Sequence, residues 1–102
     1  MHLPKQADLA IKYRIFETNE FLKKIARISN PDKIFIQNKI KTYIYPQLKQ
    51  EPHYGINIKK LVNYNPATWR YRIGKFRLFY IINDDDKIIY ILTIDNRKDA
   101  YK

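Results

Sequence analysis

The sequence predicts an α+β domain in which two helices from the first half pack on a mainly antiparallel four-stranded sheet, in the order β-α-α-β-β-β. Three observations predict it. Apolar residues recur at helical spacing twice between Phe21 and Ile44. Three runs rich in aromatic and β-branched residues follow between Trp69 and Asp95, separated by turn residues. The chain has 102 residues, room for one core and not for two.

The elements follow in order. Residues 1–11 are polar and read as an N-terminal extension, so the domain proper spans 12–102. In KYRIFE, residues 12–17, Tyr13 and Ile15 alternate with Lys12 and Arg14, the pattern of a first strand. Thr18 or Asn19 can cap the helix that follows; Glu20 suits its first turn, and Phe21, Leu22, Ile25 and Ile28 form its apolar stripe. Asn30-Pro31 ends it and offers an N-cap and first residue to a second helix with apolar positions Phe35, Ile36, Ile40, Tyr43 and Ile44, which Pro46 kinks or ends. Gln47 to Ala67 holds two further prolines, Gly55 and three asparagines, and reads as a connection with a short strand or turn between Ile56 and Leu61.

The last third fixes a sheet. Gly74-Lys75 is a two-residue loop with Gly first, as a type II′ hairpin turn requires, which sets Ile73 opposite Phe76, Arg72 opposite Arg77 and Tyr71 opposite Leu78. Asn83 to Asp86 is the next turn. Keeping apolar residues together there sets Ile82 opposite Ile88, Tyr80 opposite Tyr90 and Leu78 opposite Leu92; a slip of one residue would turn Ile88, Tyr90 and Leu92 to the other face. Trp69, Tyr80 and Tyr90 are assigned to the core. The other face then carries Arg72, Arg77, Thr93 and Asp95, with Arg70 beside them and Arg97 beyond.

Composition narrows the chemistry. The formal net charge is +10, and cysteine is absent, which removes disulfides, thiolate metal sites and cysteine nucleophiles together. His2 and His53 are the only imidazoles, Ser29 is the only serine, and Gly55 and Gly74 are too far apart for a phosphate-cradling loop. No metal site and no cofactor are expected. No apolar run approaches a membrane span and the N-terminus lacks a signal-peptide core, so a cytoplasmic protein is expected. Four of six arginines, Arg70, Arg72, Arg77 and Arg97, fall in the last third. Their planar forks suit phosphate, so nucleic acid or an acidic protein is the expected partner. The plainer reading of that face pairs the arginines with Asp95, Asp99, Glu17 or a helix carboxylate.

The strings NIKKL (57–61), WRYRIGKFRLFY (69–80) and NRKDAY (96–101), in this order and spacing, resemble the RelE/ParE toxin superfamily over residues 12–102. The resemblance implies a RelE-like fold and the toxin of a type II toxin-antitoxin system: a metal-independent endoribonuclease that cleaves messenger RNA in the ribosomal A site and is held inactive by an acidic antitoxin. A smaller branch poisons DNA gyrase instead, and a toxin-like binding module without catalysis is the related alternative. Position by position, Arg77 matches the arginine that stabilises charge on the scissile phosphate and Arg97 the second active-site arginine. Arg70 and Arg72 match phosphate-holding positions, Lys59 and Lys60 auxiliary basic ones, and Tyr101 the tyrosine that orders the attacking ribose or stacks on a base. Tyr71 and Phe79 are further stacking candidates. Asn96 departs from the pattern, since many relatives have histidine there. Asp95 reads as a base or a counter-ion, and His53, in a Pro-rich connection, as an exposed loop residue.

Overall fold

The computed structural model describes residues 12–96; the N-terminal extension, Arg97, Asp99 and Tyr101 lie outside the described residues. Five strands form one mixed sheet: β1 (Arg14–Glu17), β2 (Ile58–Lys60), β3 (Trp69–Ile73), β4 (Phe76–Asn83) and β5 (Ile88–Asn96), in the spatial order β1-β5-β4-β3-β2. β1 runs parallel to β5 and every other neighbour is antiparallel. The class is the expected α+β; the fifth strand is β2, within the Ile56–Leu61 stretch.

α1 (Asn19–Ala26) starts at Thr18, whose Oγ1 accepts the Phe21 N–H at 3.2 Å and also donates to the Ile91 carbonyl at 2.8 Å. One hydroxyl therefore caps the helix and pins it to β5. α2 (Asp32–Lys39) begins one residue later than the Asn30-Pro31 signal implies, with Pro31 at the N-cap and no side-chain cap. Pro46 does not stop the helix. A π-helical turn, Ile40–Ile44, precedes α3 (Tyr45–Gln50), and the Tyr45 N–H bonds the Ile40 carbonyl. Widening the helix by one residue removes the clash between a proline ring and the carbonyl four residues back, so the chain stays helical to Gln50.

The core is one layer between helices and sheet. Phe21 and Ile25 of α1, and Ile36, Ile40, Ile44 and Leu48 at four-residue intervals, pack on Trp69, Tyr71, Ile73, Phe76, Leu78, Tyr80, Ile89, Ile91 and Ile94. The stripe is narrower than the sequence suggests, for Leu22, Phe35 and Tyr43 are exposed. Tyr80 is fully buried and its hydroxyl donates to the Pro52 carbonyl at 2.7 Å; Tyr71, equally buried, donates to Gln47 Oε1 at 2.6 Å. Burial accordingly pushes both phenol pKa values up.

The first hairpin has the predicted register, with Gly74 at φ +57° and Ile73 opposite Phe76. The second does not. Tyr80 faces Ile91, Ile82 faces Ile89 and Leu78 faces Ile94, with Leu92 left over as a β-bulge between the Phe79 and Tyr80 pairings. Two local causes are visible. Asn83 Oδ1 accepts the Asp86 N–H at 2.9 Å, and Lys87 adopts a left-handed φ of +57°, which closes the turn on the Asn83–Ile88 pair. The bulge then lets Ile94, not Thr93, follow Ile91 into the core. The register closed at the turn sends Tyr90 out of the core, where it packs against Phe16 on the opposite face, with ring centroids 5.7 Å apart.

Candidate nucleic-acid interface

Helices cover one face of the sheet; the other is where alternation sends the remaining side chains of β2 to β5. The registers arrange that face in rows across the strands. Arg72 of β3, Arg77 of β4 and Asp95 of β5 form the row nearest the Gly74 turn. Lys59 of β2, Arg70 of β3, Phe79 of β4 and Thr93 of β5 form the next. Beyond the bulge, Ile81, Tyr90 and Phe16 make an apolar row. The face thus grades from cationic at one end to aromatic at the other, a combination that grips phosphates and stacks bases.

Backbone parity and local contacts set each basic group. Arg72 is exposed, while Arg77 is half-buried with its guanidinium 5.2 Å from the centroid of the Phe79 ring, a cation–π contact. Arg70 donates from Nη1 to the Asn57 carbonyl at 3.2 Å, and the same carbonyl accepts the Arg72 N–H at 2.9 Å. Two of the carboxylates expected as counter-ions, Asp95 and Glu17, have partners on the helices. Asp95 accepts from Lys24 Nζ of α1 at 3.1 Å, and Glu17 accepts from the Tyr45 hydroxyl at 2.7 Å. Thr93 Oγ1 is buried among the described residues with no hydrogen-bond partner.

The structure brings together Lys59, Arg70, Arg72 and Arg77. It places Lys60 elsewhere: register sets Lys60 opposite Trp69, on the helix side, where its ammonium lies 5.4 Å over the Trp69 ring. Arg97 and Tyr101 follow β5 and lie outside the described residues. Tyr71 faces the core, which removes it from the stacking candidates, whereas Phe79 faces the basic rows. Sequence reasoning missed Tyr90 and Phe16 as members of this face, because the turn-side register that sends Tyr90 there, with Phe16 beside it, leaves no signal in an all-apolar run. Asn57 was missed as the acceptor that seats Arg70. His53 is not an exposed loop residue either. It is half-buried, 2.9 Å from Glu51 and 3.2 Å from Asp84, beside the β4–β5 turn at the far end of the sheet. Among the described residues no group of three or more His, Asp or Glu side chains is arranged to hold a metal ion, and no helix is long and apolar enough to cross a membrane.

A helix layer on a mixed sheet whose open face carries clustered arginines defines a small basic α+β domain. Comparison with known proteins gives its family. The family described as the ParE toxin of the type II toxin-antitoxin system parDE matches residues 15–101, and the chain belongs to it. A protein of Methanocaldococcus jannaschii named RelE1, a candidate toxin, is 43% identical over 51 residues, which are 50% of this chain; the match spans 56% of the length of that curated relative. Among solved structures, the RelE of the RelE–RelB complex from Pyrococcus horikoshii OT3 superposes with a TM-score of 0.65 at 22% identity, covering 85% of this chain and 97% of the other. The toxin–antitoxin complex RelBE2 of Mycobacterium tuberculosis gives 0.64 at 23% identity, covering 85% and 100%. The intact RelBE complex of E. coli gives 0.61 at 15%, covering 82% and 95%. These likenesses establish the fold.

Proposed function

We infer that this chain is the toxin of a type II toxin-antitoxin pair and acts as a metal-independent endoribonuclease on messenger RNA in the ribosomal A site. The observation that carries this reading is the pair of adjacent cationic rows, Lys59–Arg70 and Arg72–Arg77, on a sheet face that continues into aromatic side chains. In the reaction proposed, the 2′-hydroxyl attacks the adjacent phosphorus in line, the bond to the 5′-oxygen breaks, and the products are a cyclic phosphate and a 5′-hydroxyl end. Such a step needs the ribose held in line and negative charge stabilised on the phosphoryl oxygens. Arg77, beside Phe79, is assigned the second task together with Arg97; Arg70, Arg72 and Lys59 hold flanking phosphates; Phe79 and Tyr90 offer stacking surfaces; and Tyr101 orders the ribose. Lys60, on the other side of the sheet, serves at most as an auxiliary contact. Asn96 cannot move a proton at neutral pH, so the proton from the 2′-hydroxyl and the proton to the leaving oxygen fall to basic side chains and the surrounding RNA.

The test is primer extension on a messenger translated in vitro, with wild-type protein and Arg77→Ala, each with and without ribosomes. Ribosome-dependent cuts that vanish in Arg77→Ala are expected; cuts retained by the variant would sink the assignment. A second reading, inhibition of DNA gyrase, is favoured by the parDE description of the matching family and by Asn96 in place of histidine. Loss of supercoiling at stoichiometric protein, with no cleavage of any messenger, would establish it. Under both readings the partner is an acidic antitoxin that covers the arginine face or displaces the residues around Tyr101.

A further inference from the structure

At the end of the sheet away from the arginines, three chain segments meet on one imidazole. His53 Nδ1 lies 2.9 Å from Glu51 Oε2, and Nε2 lies 3.2 Å from the Asp84 carboxylate in the β4–β5 turn. Asp84 also accepts from the Tyr13 hydroxyl at 2.6 Å, which brings in the lead of β1. The Glu51 carboxylate accepts the His53 backbone N–H as well, at 2.9 Å. Around the ring stand Trp69, edge-on with centroids 5.7 Å apart, and Tyr13 and Tyr54, each 6.1 Å away. Among the described residues the cations around this cluster include Lys87, 5.1 Å over the Tyr13 ring, Lys12, whose charge acts on Glu51, and Lys60, 5.4 Å over the Trp69 ring.

A neutral imidazole has one N–H and one lone pair. With a carboxylate oxygen facing each nitrogen, only the imidazolium donates to both; the neutral ring must turn a lone pair on one of them. The same connection, four residues on, carries Asn57, whose carbonyl seats Arg70 and Arg72. We propose that His53 is a proton-operated latch that ties the connection Glu51–Asn57 to the β4–β5 turn and thereby acts as a positioning residue for Arg70. The part of this that concerns Arg70 rests on the nucleic-acid reading of the arginine face; the latch itself does not.

The direction of the pH dependence follows. Burial disfavours the imidazolium, but the hydrogen bonds and charges of Glu51 and Asp84 outweigh it and raise the His53 pKa above its ordinary value. The latch is therefore fully present below the ordinary imidazole pKa of about 6.5 and is lost as pH rises through the higher folded value. For Asp84, the Tyr13 hydroxyl and then His53 outweigh burial and hold its pKa down; for Glu51, the His53 contacts outweigh a larger single effect of burial with the same result. Both carboxylates stay charged across the window.

The experiment measures urea unfolding and affinity for a single-stranded oligoribonucleotide between pH 5.5 and 8, on the full chain and on His53→Gln. The wild type is expected to lose stability as pH rises, by at most about tenfold in the folded-to-unfolded ratio per pH unit for one linked proton, and His53→Gln to lack that component. Oligoribonucleotide affinity is expected to weaken several-fold over the same range in the wild type only. Asp84→Asn, which keeps the turn's shape but removes a charge, is expected to titrate its His53 ring at lower pH by nuclear magnetic resonance. Equal pH profiles for wild type and His53→Gln, or an unmoved ring titration in Asp84→Asn, would overturn the latch. A stability profile as expected with pH-independent affinity would overturn the link to Arg70. Failure of the wild type to bind the oligoribonucleotide at any pH would instead sink the nucleic-acid reading, and the stability arm would still decide the latch.

Discussion

Arg72 and Arg77 face each other directly across the first hairpin, an arrangement that weakens a sheet by roughly 0.2–1 kcal/mol relative to a neutral pair. Folding alone gives no reason for it. Asp95, the carboxylate next in that row, also forms an ion pair with Lys24 of α1 at 3.1 Å, which helps dock that helix. Arg72→Ala should therefore raise stability in urea unfolding by up to about 1 kcal/mol while weakening oligoribonucleotide binding. A variant that loses stability would show the arginine to be structural. The pair was legible because a two-residue loop with Gly first leaves only one register. The seat of Arg70 on Asn57 was not legible, since a backbone carbonyl in an irregular connection leaves no residue-type signature.

At the scale of elements, the two hairpins show what local chemistry can and cannot specify. Gly74 has a left-handed φ of +57° and open space where a Cβ would stand. Gly74→Ala should thus cost only the backbone penalty of that conformation, about 1–2 kcal/mol, with the fold and the Arg72–Arg77 register unchanged; thermal unfolding with a cross-strand amide assignment checks both. Strands, both main helices and the arginine face could be read from alternation, helical period and this one glycine. The second register could not. Every residue from Ile88 to Leu92 is apolar, so alternation carries no information there, and the choice falls to the Asn83–Asp86 turn and to a bulge that exchanges Thr93 for Ile94. The register closed by the turn moves Tyr90 from the expected core to the open face, and the bulge acts only beyond it. The bulge leaves Asp95 on the side where the sequence put it, because the change of parity made at the turn is undone at Leu92. Pro46 is the helical counterpart: its effect was expected as a break or kink, and a π turn absorbs it.

For the whole molecule, a net charge of +10 does not by itself identify a site, because lysines are spread over the helices as well as the sheet. What distinguishes the site is which charges share a face, and strand register separates two adjacent lysines on that criterion. Lys59 stands opposite Arg70 among the basic rows; Lys60 stands opposite Trp69 on the helix side. Binding of single-stranded RNA releases counterions in proportion to the phosphates contacted, and the logarithm of affinity falls with the logarithm of salt by about 0.7 per contact. Lys59→Ala should then weaken binding and make the salt slope shallower by about 0.7, whereas Lys60→Ala should leave the slope as in the wild type. Both variants carry the same net charge, so long-range attraction changes alike in each and only direct contact separates them. Equal slopes for the two would mean that the chain's total charge, and not the arrangement on this face, governs how it holds nucleic acid.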